Sequence, residues 1–182
     1  QCTFCNVPSL FQKFRWKSGE KVAQEYIDII KKNNVERVLF SDSLVNGNMK
    51  EFRSFIRVMS DWYDKNPRQE VVPWAGQFIC RNRNALTEED FKYIKKSGCF
   101  NLQIGIESGS ESVRDHMKKK FSNDDMYYTL EHLADLGIEL VLLMIVGYPT
   151  ETKEDFEDTL LFFENMNDLH GHKTKIYVNI NV

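Results

Sequence analysis

No run of apolar residues in this 182-residue sequence approaches the roughly twenty needed to cross a bilayer. Nothing at its start has the charged and apolar parts of a signal peptide. Cysteine is scarce. The four present, Cys2, Cys5, Cys80 and Cys99, are too few and too irregularly spaced for a disulfide framework in a chain this long, so a reducing cytoplasm is the expected compartment. Positive charge is not in excess either: 24 basic residues against 27 acidic ones give a net charge of -3. That balance offers no chain-wide attraction for nucleic acid phosphates or anionic lipid and leaves only a local basic patch open. Internal repeats and low-complexity tracts are also lacking.

Metal-ligand patterns are equally sparse. The C-x-x-C at Cys2 and Cys5 is followed by no second C-x-x-C and no suitably spaced histidine pair, which weakens a zinc reading. His170 and His172 fall in a loop between the last helix and the last strand, where a solvated role is expected. His116 and His132 fall on helical segments and read as surface or packing residues. Cys80 and Cys99 adjoin strands, where free cysteine acts as a small buried hydrophobe.

What is present is strongly patterned. Hydrophobic residues make up 42% and charged residues 28%, which fits one soluble domain spanning residues 1–182. Five stretches rich in β-branched and aromatic residues read as buried strands. They are VERVLF, VVPWAGQFI, FNLQIGI, IELVLLMIVG and KIYVNINV, starting at residues 35, 71, 100, 138 and 175. Each interval is the length of a strand, a helix and two loops. The helix EKVAQEYIDIIKK places Val22, Tyr26, Ile29 and Ile30 on one stripe, and MKEFRSFIRVMSDWY places Phe52, Phe55, Ile56 and Met59 on another. Later helices begin at capping patterns: Thr87 with Asp90, Ser122 with Asp125, and Thr152 with Asp155. Trp74 and Phe78 share one face of the second strand and are expected to line the interior of the sheet.

This alternation predicts an α/β fold with a parallel sheet, either barrel-like or doubly wound. In both, functional groups gather beyond the carboxyl ends of the strands. Those positions here are SDSLVNG (Asp42, Ser43, Asn46), CRNRN (Cys80, Arg81, Arg83), ESGS (Glu107, Ser108) and GYPTET (Gly147, Pro149, Glu151). Asp42 and Glu107 also admit a local role, satisfying backbone donors at strand ends.

Three motifs in order, CTFC, IGIESGSESVRDHMKKKFS and GIELVLLMIVGYPTETKEDF, resemble the radical S-adenosylmethionine (radical SAM) superfamily from Cys2 to about Leu161. The detail is similar to the branch holding methylthiotransferases and cobalamin-dependent members. The resemblance implies a partial parallel (β/α)6 TIM-like barrel. It implies a 4Fe–4S cluster on the pattern C-x3-C-x2-C, of which Cys2, Phe4 and Cys5 match the last three marked positions. Three thiolates leave one iron open for the methionine part of SAM. Reductive cleavage of SAM would give a 5'-deoxyadenosyl radical that abstracts hydrogen from substrate, with the protein supplying geometry.

By the same resemblance, Asp42 and Ser43 face the SAM amino group, where many members carry Gly-Gly-Glu and this sequence carries Ser-Asp-Ser. Glu107 and Ser108 would bind ribose hydroxyls and the methionine part, since a carboxylate accepts two hydroxyl hydrogen bonds. Lys119 stands where relatives often place an arginine against the SAM carboxylate, keeping the charge but not the fork. Ile145, Gly147 and Phe4 border the adenine, and Arg81 lines the rim. Cobalamin is a further cofactor, and flavodoxin or ferredoxin an external electron donor, that the branch implies. The chain opens on a loop and closes on a strand, so it is expected to be an excerpt, with the first barrel strand and the third cysteine before it and any cobalamin or accessory domain outside it. The readings kept beside this one are a degenerate barrel that binds SAM or another nucleotide without radical chemistry, and a zinc-dependent barrel hydrolase.

Overall fold

The computed structural model describes residues 3–6, 13–171 and 173–181. Among these, helices and strands alternate from α1 (Gly19–Lys32) through β1 (Val38–Leu39), α2 (Met49–Lys65), β2 (Trp74–Phe78), α3 (Glu88–Lys96) and β3 (Cys99–Glu107). They continue with α4 (Glu111–His116), α5 (Asn123–Asp135), β4 (Glu139–Ile145), α6 (Lys153–Leu169) and β5 (Ile176–Asn181). The strands form one sheet in the order β1-β2-β3-β4-β5, and every neighbouring pair is parallel. A doubly wound sheet reverses its strand order at a switch point. This order never reverses, so the architecture is that of a partial TIM-like barrel.

Side-chain alternation gives the sheet two unlike faces. Leu102, Ile104 and Ile106 of β3 and Leu140, Leu142 and Met144 of β4 are wholly buried beneath the helices. The residues between them, Asn101, Gln103 and Gly105 on β3 and Val141, Leu143 and Ile145 on β4, form a face that is only partly covered. Gln77 and Gln103 lie in register across it. Trp74 and Phe78 do share a face, but it is the helix-covered one, not the interior expected for them. Trp74 packs edge-on against Phe52 at 6.4 Å and Phe55 at 5.6 Å, and Phe78 meets Phe52 at 5.9 Å.

The α1 stripe is also displaced by part of a turn. Ala23, Tyr26, Ile27 and Ile30 are buried at the i, i+3, i+4, i+7 spacing of one helix face, while Ile29 is exposed. On α2 the expected Phe52, Phe55, Ile56 and Met59 are all buried. The three capping patterns form complete boxes at Thr87, Ser122 and Thr152.

Strand β1 shrinks to two residues, yet its pairing runs on past it. Phe40 N–H donates to Ala75 O at 2.9 Å, and Val45 N–H donates to Gln77 O at 2.8 Å. The buried Asn46 amide then donates to Ile79 O at 2.8 Å and accepts from Ile79 N at 3.1 Å, so a side chain finishes the ladder that the backbone started. Strand β2 starts only at Trp74 because Pro73 before it has no N–H to give.

Candidate functional site

Three stretches far apart in sequence meet at the carboxyl end of β3. The first is the loop of Cys5, which is docked through Thr3. Thr3 N–H donates to Met117 O at 3.1 Å, and its hydroxyl lies 2.8 Å from the Tyr148 hydroxyl and 3.4 Å from His116 O. Next to it, Phe4 is 39% exposed, and the Lys119 ammonium sits 5.8 Å from the centre of its ring. The Cys5 thiol is free and exposed. Cys2 lies outside the described residues, as does His172.

The second stretch is the end of β3. Its register against β4 slips between Gly105 and Glu107, a bulge of the kind that re-aims a side chain beside a site. Glu107 sits at φ 72, in the left-handed region, and is 92% buried by its 8% exposure. Its carboxylate Oε1 accepts from Lys119 Nζ at 2.6 Å, and the same ammonium donates to Gly105 O at 3.0 Å. Gly105 leaves room for the pair in this position: a Cβ on it would stand 2.6 Å from Glu107 Oε1 and 2.9 Å from Lys119 Nζ, and the two side-chain ends would have to shift. Lys118 and Lys120, on either side of Lys119, are also left-handed at φ 62 and 43. Such conformations cost of order 1–3 kcal/mol each and cluster where surrounding structure enforces them.

An ammonium carries three donors and a carboxylate two acceptor oxygens. Glu107 and Lys119 spend two donors and one oxygen on described partners, which leaves one ammonium hydrogen and Glu107 Oε2 for a ligand. The pair therefore suits a group with a negative and a hydrogen-donating end side by side.

Behind Glu107, the ESGS turn is laced to α6. Gly109 N–H donates to Thr159 Oγ1 at 3.0 Å, and the Ser110 hydroxyl donates to Asp155 Oδ1 at 2.6 Å. Ser108 is fully buried, its hydroxyl accepting from Ser110 N at 3.1 Å and lying 3.3 Å from Thr159 Oγ1. Its side chain thus faces the packing under the turn rather than the Glu107–Lys119 pair. Gly109 lets the turn sit against the helix, since a Cβ there would lie 2.5 Å from Thr159 Cα.

The third stretch follows β4. Ile145 is its last residue, half-buried, and Gly147 at φ 80 donates its N–H to Glu151 Oε2 at 2.7 Å. Glu151 Oε1 is buried with no partner among the described residues.

Other expected site residues lie apart from this convergence. Asp42 and Ser43 are exposed in the loop after β1, and neither side chain is hydrogen-bonded among the described residues. Arg81 turns its guanidinium onto that loop, donating to Asn46 O at 3.1 Å and Gly47 O at 3.3 Å, and burial holds its pKa below the usual arginine range. None of the three touches the Glu107–Lys119 pair.

Cys80 and Cys99 are buried, and burial pushes the Cys80 thiol up to about 12 and the Cys99 thiol upward as well. Thiols held protonated in this way are poor metal ligands. Among the described residues no three His, Cys, Asp or Glu side chains gather as a metal site. His170 is exposed just past the end of α6, as expected of a solvated residue, and its Nδ1 also accepts from Ile176 N at 2.9 Å and so fixes the start of β5. An apolar groove of about 340 Å³ between α6 and β5, lined by Phe163, Met166 and Val178, shares no residue with the site. Among the described residues no helix is long and apolar enough to cross a membrane.

Thr3, Tyr148 and the buried Arg114 do not stand out as site residues in the sequence, whereas Glu151 does, as part of the rim after β4. Thr3 and Tyr148 lie within recognised motifs but carry their weight through contacts across the fold. Arg114 sits among charged residues of a short helix, where the pattern gives no sign of burial.

The sequence profile of the radical SAM superfamily matches residues 1–163. The chain belongs to the radical SAM superfamily. It is 27% identical over 168 residues to the ribosomal protein uS12 methylthiotransferase RimO of Hydrogenobaculum sp. (strain Y04AAS1), covering 89% of this chain and 40% of RimO. It is 25% identical over 170 residues to the tRNA-2-methylthio-N(6)-dimethylallyladenosine synthase of Fusobacterium nucleatum, covering 87% of this chain and 37% of that protein. The chain thus spans two fifths or less of these relatives. Among solved structures it shares its fold with the radical S-adenosylmethionine methyltransferase TsrM from Kitasatospora setae, solved with cobalamin and a 4Fe–4S cluster. That likeness has a TM-score of 0.79 at 14% identity and covers 100% of this chain and 32% of TsrM. The expectation of a radical SAM barrel is therefore met, and the match favours neither the degenerate barrel nor the zinc hydrolase.

Proposed function

We propose that this chain forms the core of a radical SAM enzyme whose resident groups are SAM and a 4Fe–4S cluster. The observation that carries the reading is the convergence of the Cys5 loop, the Glu107–Lys119 pair and the Gly147 turn in a chain that matches the superfamily along most of its length. The residues fit these groups. Cys5 offers an exposed thiol on a loop held at Thr3, Cys2 would supply a second, and a third would come from outside this sequence.

When bound and reduced, the cluster would supply the electron that breaks the sulfonium carbon–sulfur bond of SAM, and the resulting radical would take hydrogen from substrate. The chain's own residues bind and orient. Lys119 keeps a donor for the methionine carboxylate, and Glu107 Oε2 accepts from the amino group or a ribose hydroxyl. Phe4 and the backbone at Ile145 and Gly147 border the adenine, with Asp42, Ser43 and Arg81 assigned to the surrounding rim and Ser108 supporting the turn behind Glu107. Cobalamin is a proposed further cofactor, on the strength of the fold shared with TsrM, with methylthio or methyl transfer as the reaction class. A flavodoxin or ferredoxin is the proposed electron donor.

The test uses the full-length protein, reconstituted with iron and sulfide without oxygen, reduced and given SAM. Formation of 5'-deoxyadenosine or a methylated product is expected. Glu107→Gln, which keeps the shape but removes the charge, is expected to weaken SAM binding about tenfold. Absence of both a cluster signal and any SAM-derived product overturns the reading, and stoichiometric zinc in anaerobically purified protein would favour the hydrolase.

A further inference from the structure

Arg114 is the one arginine among the largest fully buried side chains of the described residues, with an exposure of 0%. A buried guanidinium is costly unless its charge is answered, and here the answer is almost entirely neutral. Nη1 donates to Ser108 O at 2.7 Å and Gly109 O at 3.0 Å, and Nη2 donates to Asn123 Oδ1. The guanidinium lies 5.3 Å from the centre of the Phe121 ring. The nearest carboxylate, Glu111, is 3.9 Å away on a half-exposed side chain. Nε is buried with no partner among the described residues. An aliphatic side chain would fill this space without those costs, so the charge is doing something an aliphatic group would not.

What it does follows from the two carbonyls it holds. Ser108 and Gly109 come directly after Glu107, whose left-handed φ of 72 needs an enforced turn. The Arg114 backbone reaches the other member of the pair, since Arg114 O accepts from Lys119 N–H at 2.9 Å. One residue therefore grips the chain on both sides of the Glu107–Lys119 pair while touching neither charged group. We propose that Arg114 is a positioning residue that sets the Glu107–Lys119 pair for the zwitterionic methionine part of SAM. The proposal rests on the SAM reading above.

The test is SAM binding to the full-length, cluster-loaded protein by anaerobic equilibrium dialysis, with the thermal midpoint of each variant recorded beside it. Arg114→Leu is expected to weaken SAM about tenfold or more, and Arg114→Lys to recover part of the loss. Asn123→Ala removes an anchor of the guanidinium without emptying the core, and is expected to weaken SAM roughly threefold to tenfold with a midpoint near that of the parent. Asn123→Ala decides the matter if Arg114→Leu does not fold. Ile94→Ala, in the core under α3 and away from the site, is expected to lower the midpoint and leave SAM affinity within about twofold. The proposal is overturned if the folded Arg114 and Asn123 variants bind SAM as the parent does, or if Ile94→Ala loses affinity in step with its midpoint. A parent that binds no SAM overturns the proposed function itself.

Discussion

Glu107, Lys118 and Lys120 are the non-glycine residues with left-handed backbone among those described, and all three fall beside the loop of Cys5. Side chains resist this conformation because Cβ crowds the following carbonyl, by roughly 1–2 kcal/mol per residue. Lys118 is exposed and its side chain makes no bond among the described residues, so it can be relieved without disturbing the pair. Lys118→Gly is expected to stabilise the protein by about 0.5–1 kcal/mol in urea unfolding, the relief being partly offset by the freer unfolded chain. An unchanged or lowered midpoint would show that the turn is not strained at Lys118. At this scale the sequence is informative where chemistry follows residue type within a motif, and Glu107 and Lys119 both stand out in it. Their pairing is not legible there, because it depends on the bulge at Ile106 and on Gly105 leaving room, and neither has a sequence signature separate from an ordinary strand. Ser108 stands in the same motif, yet its hydroxyl is spent on Ser110 and Thr159, a contact set by where α6 packs.

Helix α6 does two jobs, packing against β5 and holding the ESGS turn, and Asp155 caps the helix through Thr152 and holds the turn through Ser110. The Ser110 hydroxyl, then the Thr152 N–H and hydroxyl, all donate to this carboxylate and hold its pKa below the ordinary value of 3.8. Above that value both folded and unfolded chains carry the ionised group, and its stabilising contribution is fully present. As pH falls below it the unfolded chain takes up the proton first, and the contribution is lost through the depressed folded value. Asp90 follows the same sign: burial pulls its carboxyl up, but Arg53 and the Thr87 cap outweigh this and hold it low. Asp155→Asn is therefore expected to narrow its stability deficit against the parent as pH is lowered from about 6 to about 3 in urea titrations. A deficit that stays constant would remove Asp155 from the acid response. Elements were the most legible level. Each capped helix began where its box lay, because the box is local chemistry. The α1 stripe slipped because Ala23 and Ile27 compete with Val22 and Ile29 for the same helix face, and only the packing partner decides between them.

The sheet is parallel, runs in sequence order and has one buried face and one partly open face, so the groups after each strand end at one rim. Strand–helix alternation predicted that much but left barrel and doubly wound sheets level, since both have the same local pattern. Family resemblance separated them, and the unbroken strand order agrees. What could not be read was which rim residues meet: Arg81 joins Asn46 and Gly47 of the loop after β1, in which Asp42 and Ser43 stay exposed, while Phe4, Glu107, Lys119 and Tyr148 form another group. The central claim, that the second group presents SAM to a cluster held in part by Cys5, is tested most directly by the electron paramagnetic resonance spectrum of the reduced full-length protein with and without SAM. A 4Fe–4S signal that shifts on adding SAM, and that is lost in Cys5→Ala, is the result predicted. A signal that ignores SAM, or one that survives Cys5→Ala unchanged, would contradict it.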